Sequence, residues 1–149
     1  GNDNSEKIFY DLSDTNSSTF NKINQDSSYF KRKNKILSFF FFKKDFFSEK
    51  KKIKQIRLFD FINTKKLNNI DIIKIDTEGY EFEVLKGLDD KIKDIKFIYF
   101  EHHYDNMIEK TYKFSDMHYL LTKKNFKRVF KIKMPFRKSF DYIYQNLSK

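Results

Sequence analysis

Asp76 and Glu78 stand two residues apart within Ile70 to Gly87 (IDIIKIDTEGYEFEVLKG), directly after an apolar run of strand length. In an open α/β sheet, ligands bind outside the carboxyl ends of the strands. A carboxylate there accepts hydrogen bonds from a ligand's amine or hydroxyl, and removes a proton if its pKa is raised. Gly79 lets the chain turn tightly into the helix that follows. The same residues also suit a plain helix start, with Asp76 or Thr77 as cap and Glu78 and Glu81 complementing the dipole. Spacing alone favours the cap, because capping carboxylates far outnumber catalytic ones.

A second cluster is Glu101-His102-His103-Tyr104-Asp105. Imidazoles and carboxylates suit Zn²⁺ or Fe²⁺. In a continuing strand, however, His102 and His103 point to opposite faces and cannot easily share one ion, and no His pair stands at helical i, i+4 spacing. No metal is expected. At the carboxyl end of a strand, Glu101 or His102 would instead line an acceptor site, with a core or hydrogen-bonded histidine as the alternative. Ser17, Ser18 and His118 show no base and orienting partner, so a serine-hydrolase constellation is not expected.

The elements that must position these groups read as alternating strands and helices. Residues 1–34 are polar, with one strand-like island at Lys7 to Leu12 and a loop over Asp11 to Ser18. Lys35 to Lys54 mixes cations with Phe and Ile in no clear period, and reads as a surface insertion whose Phe side chains lie against the domain. The aromatic and lysine-rich stretch Lys31 to Lys54 could also stack bases or lie on an anionic membrane, though consecutive Phe39 to Phe42 favour packing. Lys54 to Leu58 reads as a short strand and Phe59 to Asn63 as one helical turn. Ile70 to Ile75 suits a strand covered on both faces. Tyr80 to Lys86 reads as a helix with Gly87 as its left-handed cap. Ile95 to Phe100 is the next buried strand. A helix then spans about Ser115 to Lys124, with Ser115 as N-cap, Met117, Leu120 and Leu121 as its stripe, and Asn125 as its stop. Phe126 to Lys133 and Phe140 to Gln145 are spaced as a hairpin. This order predicts an α/β fold, with parallel strands first and an antiparallel pair last.

Composition sets the outer limits. The 149 residues fit one domain, and the absence of cysteine excludes disulfides, thiolate metal sites and a cysteine nucleophile. Phe, Ile, Lys, Asn and Tyr supply 83 residues, a skew toward A/T-rich codons. The net charge of +10 invites a nucleic-acid or membrane partner, yet only four of the 31 cations are Arg, the residue that phosphate and guanine readout favours. No apolar run approaches the ~20 residues of a membrane-spanning helix. The start at Gly1 lacks a charged-then-apolar leader, and a cytoplasmic location is expected.

Lys74 to Glu81 (KIDTEGYE), continuing to Val84-Leu85-Lys86-Gly87, resembles the signature of FkbM-type methyltransferases. Leu58 to Ile62, Ile98 to Glu101 and Phe114 to Phe126 match in register, so the similarity spans roughly Ile53 to Gln145 and more loosely Ile8 to Phe20. The resemblance implies a class I, Rossmann-like fold and S-adenosylmethionine as methyl donor. The acceptor it implies is a small-molecule or glycan hydroxyl, on a sugar, glycolipid or secondary metabolite, with no nucleic acid involved. On it, Asp76 is the first catalytic candidate, helped by Glu78, with Glu101 and His102 behind them, and Asp76 and Thr77 face the cofactor.

That family also holds its cofactor with a glycine-rich loop, which three glycines in total cannot supply. The chain is therefore expected to be the carboxyl-terminal portion of such a sheet, one truncated domain. Residues 1–52 would form a polar segment and insertion, and 53–149 the α/β core. Activity would belong to the parent protein rather than to this piece alone. The competing class is a non-catalytic, basic, Phe-rich module docking on nucleic acid or anionic membrane.

Overall fold

A computed structural model describes residues 1–12, 18–41, 47–135 and 137–149. Its elements are β1 (Glu6–Leu12), α1 (Ser28–Phe41), β2 (Phe47–Lys54), α2 (Leu58–Thr64), β3 (Ile70–Ile75), α3 (Glu81–Leu88), a 3₁₀ segment (Asp89–Asp94), β4 (Ile95–His103), α4 (Phe114–Lys123), β5 (Phe126–Lys133) and β6 (Ser139–Asn146).

Four strands form one mixed sheet in the order β3-β4-β6-β5. β3 and β4 run parallel, with Ile70 beside Ile95 and Ile75 beside Phe100. β6 inserts antiparallel between β4 and β5. The expected parallel pair and closing hairpin are thus both present. β1 and β2 form a separate antiparallel pair.

The core lies between this sheet and α2, α3 and α4, where Ile62, Leu85, Leu88, Ile98, Met117 and Leu121 are almost fully buried. Phe100 stacks on Tyr142 and Tyr144 at ring separations of 5.5 and 5.7 Å. Two tyrosines can sit in a core only if their hydroxyls are satisfied. Tyr142 meets the Tyr104 hydroxyl and Tyr144 meets His118 Nδ1, both at 2.7 Å.

Several expectations are corrected. Lys54 ends β2 and Leu58 begins α2, so no strand joins them. The aperiodic Lys35 to Lys54 stretch divides into the end of α1 and the whole of β2, with 42–46 outside the described residues, as are 13–17 of the expected loop. Phe39, expected to pack under the insertion, is instead 79% exposed. β3 is not covered on both faces. It is an edge strand, and Ile72 is 55% exposed.

Gly87 is not a left-handed cap but a helical residue inside α3, where a Cβ would collide with the Gly1 carbonyl oxygen. Its missing side chain admits that backbone, and the left-handed residue is Asp89, at φ 50°. The N-cap of α4 is Lys113 rather than Ser115; its N–H donates to the Asp116 carboxylate at 2.8 Å. Asn125 does stop that helix, at φ 64°.

Candidate active site at the carboxyl ends of the parallel strands

The loop from Asp76 to Tyr80 leaves the end of β3 and turns through two left-handed residues, Glu78 at φ 49° and Gly79 at φ 92°. A non-glycine residue in that conformation costs about 1–2 kcal/mol, so surrounding contacts must hold it. Thr19 donates its hydroxyl to the Glu78 carbonyl at 2.7 Å, and Asn21 donates its amide to the Gly79 carbonyl at 2.6 Å. From inside, Oε1 of Glu81 accepts from Thr77 N–H, the Thr77 hydroxyl and Gly79 N–H at 3.1, 3.2 and 2.9 Å. The other oxygen of Glu81 accepts from the Tyr112 hydroxyl at 2.5 Å. This buried carboxylate organises the loop's free N–H groups.

Asp76 therefore caps nothing. No side chain caps α3, whose N-cap position is Tyr80. Asp76 is exposed at the strand end and pairs with Lys74 at 3.0 Å, an ion pair that holds the Lys74 ammonium above its ordinary pKa. Thr77 is half-buried, its hydroxyl given to Glu81.

Glu78 folds inward. Its Oε2 lies 3.4 Å from His103 Nε2, and Glu101 Oε1 approaches the same nitrogen at 3.5 Å. On the other side of the ring, His103 Nδ1 faces Asp105 Oδ2 at 3.7 Å. Burial pushes the Glu78 carboxyl up to about 7; His103 opposes this and the neighbouring acids reinforce it. Burial pulls His103 down, but Asp105, Glu78 and Glu101 outweigh it and hold the imidazole above its ordinary value. Lys110 donates to the His103 carbonyl at 2.6 Å, and its own burial depresses its pKa.

Of the sequence candidates, the structure brings Glu78 and Glu101 together, sets Asp76 and Thr77 on the outer side of the same loop, and separates His102. That ring enters an aromatic pocket, with centroids 4.8 Å from Tyr104, 5.8 Å from Tyr112 and 5.7 Å from Phe114. Burial drives its pKa down to about 4. The alternation of β4 carries Phe100 and His102 to the core, and Glu101 and His103 to the opposite face. Sequence reasoning missed His103, Asp105 and Glu81. The first two stand in the singled-out EHHYD run, and Glu81 follows Thr77 by four residues. Among the described residues, no group of three or more His, Asp or Glu side chains is arranged to hold a metal ion.

One cavity borders the loop and a second lies beside Tyr104 to Asn106. The first, of about 430 Å³, runs along β3, α2 and α3; it is walled by Leu58, Phe61, Leu67, Ile70 and Ile73, and Lys74, Asp76 and Thr77 add polar groups. The other, of about 170 Å³, is polar and is lined by Ser27, Tyr29, Tyr104, Asp105, Asn106 and Lys138, among others.

Acidic groups thus gather at the carboxyl ends of two adjacent parallel strands of a mixed sheet, the edge at which open α/β sheets bind ligands. Residues 1–128 match the family model of the Methyltransferase FkbM domain, and the chain belongs to that methyltransferase family. No curated protein and no solved structure matches it.

Proposed function

We propose that this chain takes part in O-methyl transfer from S-adenosylmethionine to a hydroxyl of a sugar, glycolipid or secondary metabolite, on a class I, Rossmann-like sheet. The strand order, with β6 antiparallel between β4 and β5, supports that architecture. The observation that carries the chemistry is the placement of Glu78: a carboxyl buried just past the end of a parallel strand, where desolvation pushes its pKa up to about 7. A base with that pKa is half ready at neutral pH and can take the hydroxyl's proton late in an in-line displacement.

S-Adenosylmethionine, when bound, supplies a methyl group on a cationic sulfur. The residues present fit part of that molecule. The exposed Asp76 carboxylate suits its ammonium, Thr77 stands beside it, and the cavity walled by Leu58, Phe61 and Ile70 suits an apolar portion. No glycine-rich loop is formed by this chain, because Gly79 is locked in the turn and Gly87 lies inside α3. In this reading Asp76 and Thr77 face the cofactor, Glu78 accepts the proton, and Glu101 shares its charge environment. His102 supports the end of β4 from the aromatic core. Among the described residues no helix is long and apolar enough to cross a membrane.

The test uses the full-length protein, S-adenosylmethionine with a labelled methyl group and a panel of hydroxylated acceptors. Label should appear on an acceptor oxygen, and Glu78→Gln should slow transfer by ~10²-fold or more. Transfer by Glu78→Gln at the wild-type rate would remove Glu78 from the chemistry.

A further inference from the structure

We propose that His103 is a positioning residue for Glu78: Asp105 and Glu101 hold its ring so that a positive charge faces the Glu78 carboxylate. The inference rests on the methyl-transfer reading for its consequence, but not for its geometry. His103 Nε2 and Glu101 Oε1 are both buried without a hydrogen-bond partner and lie 3.5 Å apart, and Glu78 Oε2 lies 3.4 Å from the same nitrogen. Buried nitrogen and oxygen atoms left in that state are rare, and a shared proton satisfies them.

The ring cannot easily leave. Asp105 flanks Nδ1, and one oxygen of Asp105 is itself fixed by the Met107 N–H at 3.0 Å. Lys110 pins the His103 carbonyl from behind and reaches the Asp105 carbonyl at 3.5 Å. Three acids surround one imidazole, so a positive ring is favoured, and its charge in turn favours the ionised form of Glu78.

Other groups also act on this cluster. Asp76 and Glu81 bear on Glu78 from its own loop and from α3. Lys110 stands beside Asp105, and Tyr29 from α1 is coupled to both Asp105 and Glu78. Arg137, from the β5–β6 connection, bears on Tyr29. None of these places a cation as directly against the Glu78 carboxylate as His103 does. Without the ring, Glu78 would keep its proton to higher pH and be a poorer acceptor at neutrality.

The test is NMR titration of this chain, following the Glu78 side-chain carboxyl carbon and the His103 ring. In the wild type the two should titrate as a coupled pair, each curve showing the other's step. His103→Gln should move the Glu78 midpoint up by about one unit. Asp105→Asn leaves the ring in place but should lower the His103 midpoint and move Glu78 up by less. A Glu78 curve unchanged in both variants, or uncoupled curves in the wild type, would overturn the proposal; the wild-type measurement decides even if His103→Gln does not fold. In the full-length protein, the acidic limb of the methyl-transfer pH profile should shift upward with the same variants. Coupled titrations with an unmoved limb would preserve the His103–Glu78 pair and remove Glu78 as the base.

Discussion

His102 and His103 are consecutive in the chain, yet their rings lie on opposite faces of β4, one within an aromatic core and the other between two glutamates. Alternation along a strand separates neighbours in this way. It gives the two imidazoles opposite responses to pH: burial holds His102 down to about 4, while surrounding acids hold His103 up.

The His102 shift predicts acid sensitivity. Its folded-state pKa lies below the ordinary 6.5, so its neutral form is fully compatible with the fold above that value. Stability is lost as pH falls from about 6.5 toward about 4. His102→Phe keeps an aromatic ring in the pocket and removes the titration. Melting curves across that range should show the variant gaining on the wild type as pH falls, by up to about 3 kcal/mol. A constant difference would mean that His102 titrates normally.

The Glu81–Tyr112 hydrogen bond ties the active loop to the segment before α4. Tyr112→Phe leaves a buried carboxylate oxygen without its donor, and chemical denaturation should report a loss of about 1–3 kcal/mol. An unchanged midpoint would show that Glu81 does not need this partner.

Gly79 has a positive φ of 92°, and a Cβ there would come within 2.7 Å of Ile108 Cγ2. Gly79→Ala should cost more than about 1 kcal/mol, since both conformation and space oppose it. Calorimetry that finds the variant as stable as the wild type would contradict the loop geometry.

β3 presents an open edge with an exposed isoleucine, Ile72. Such edges pair with other chains unless charged residues protect them. Ile72→Lys should reduce concentration-dependent self-association in light scattering while leaving the melting temperature nearly unchanged. Equal association by both proteins would place the contact elsewhere.

β3, β4 and the closing hairpin were legible because Ile70–Ile75, Ile95–Phe100 and the final segments carry dense β-branched and aromatic residues, whereas β2 lay in a stretch without a period. Strand exposure was not legible. An apolar run reads the same whether a neighbour covers it or, as at Ile72, leaves it open. Gly87 illustrates a second limit: glycine near a helix end suits a left-handed cap, but it equally suits close approach of another backbone, here that of Gly1. At the site, the DTEG turn announced itself through residue types and spacing. The inward rotation of Glu78 did not, because it depends on Thr19 and Asn21, some sixty residues earlier, gripping two carbonyls. His103 was passed over for the same reason: alternation says only that adjacent histidines part, and the partners on each face come from distant segments.

Asp76 offers the most direct measurement. Its carboxylate caps no helix and, among the described residues, pairs only with Lys74 on the surface, so Asp76→Asn should leave the melting curve within about 0.5 kcal/mol of wild type. The full-length protein should move a labelled methyl group from S-adenosylmethionine to a hydroxyl, and Asp76→Asn should reduce that rate by ~10²-fold or more. Transfer at the wild-type rate by a fully folded Asp76→Asn protein would contradict the assignment of this strand end as the methyl-transfer site.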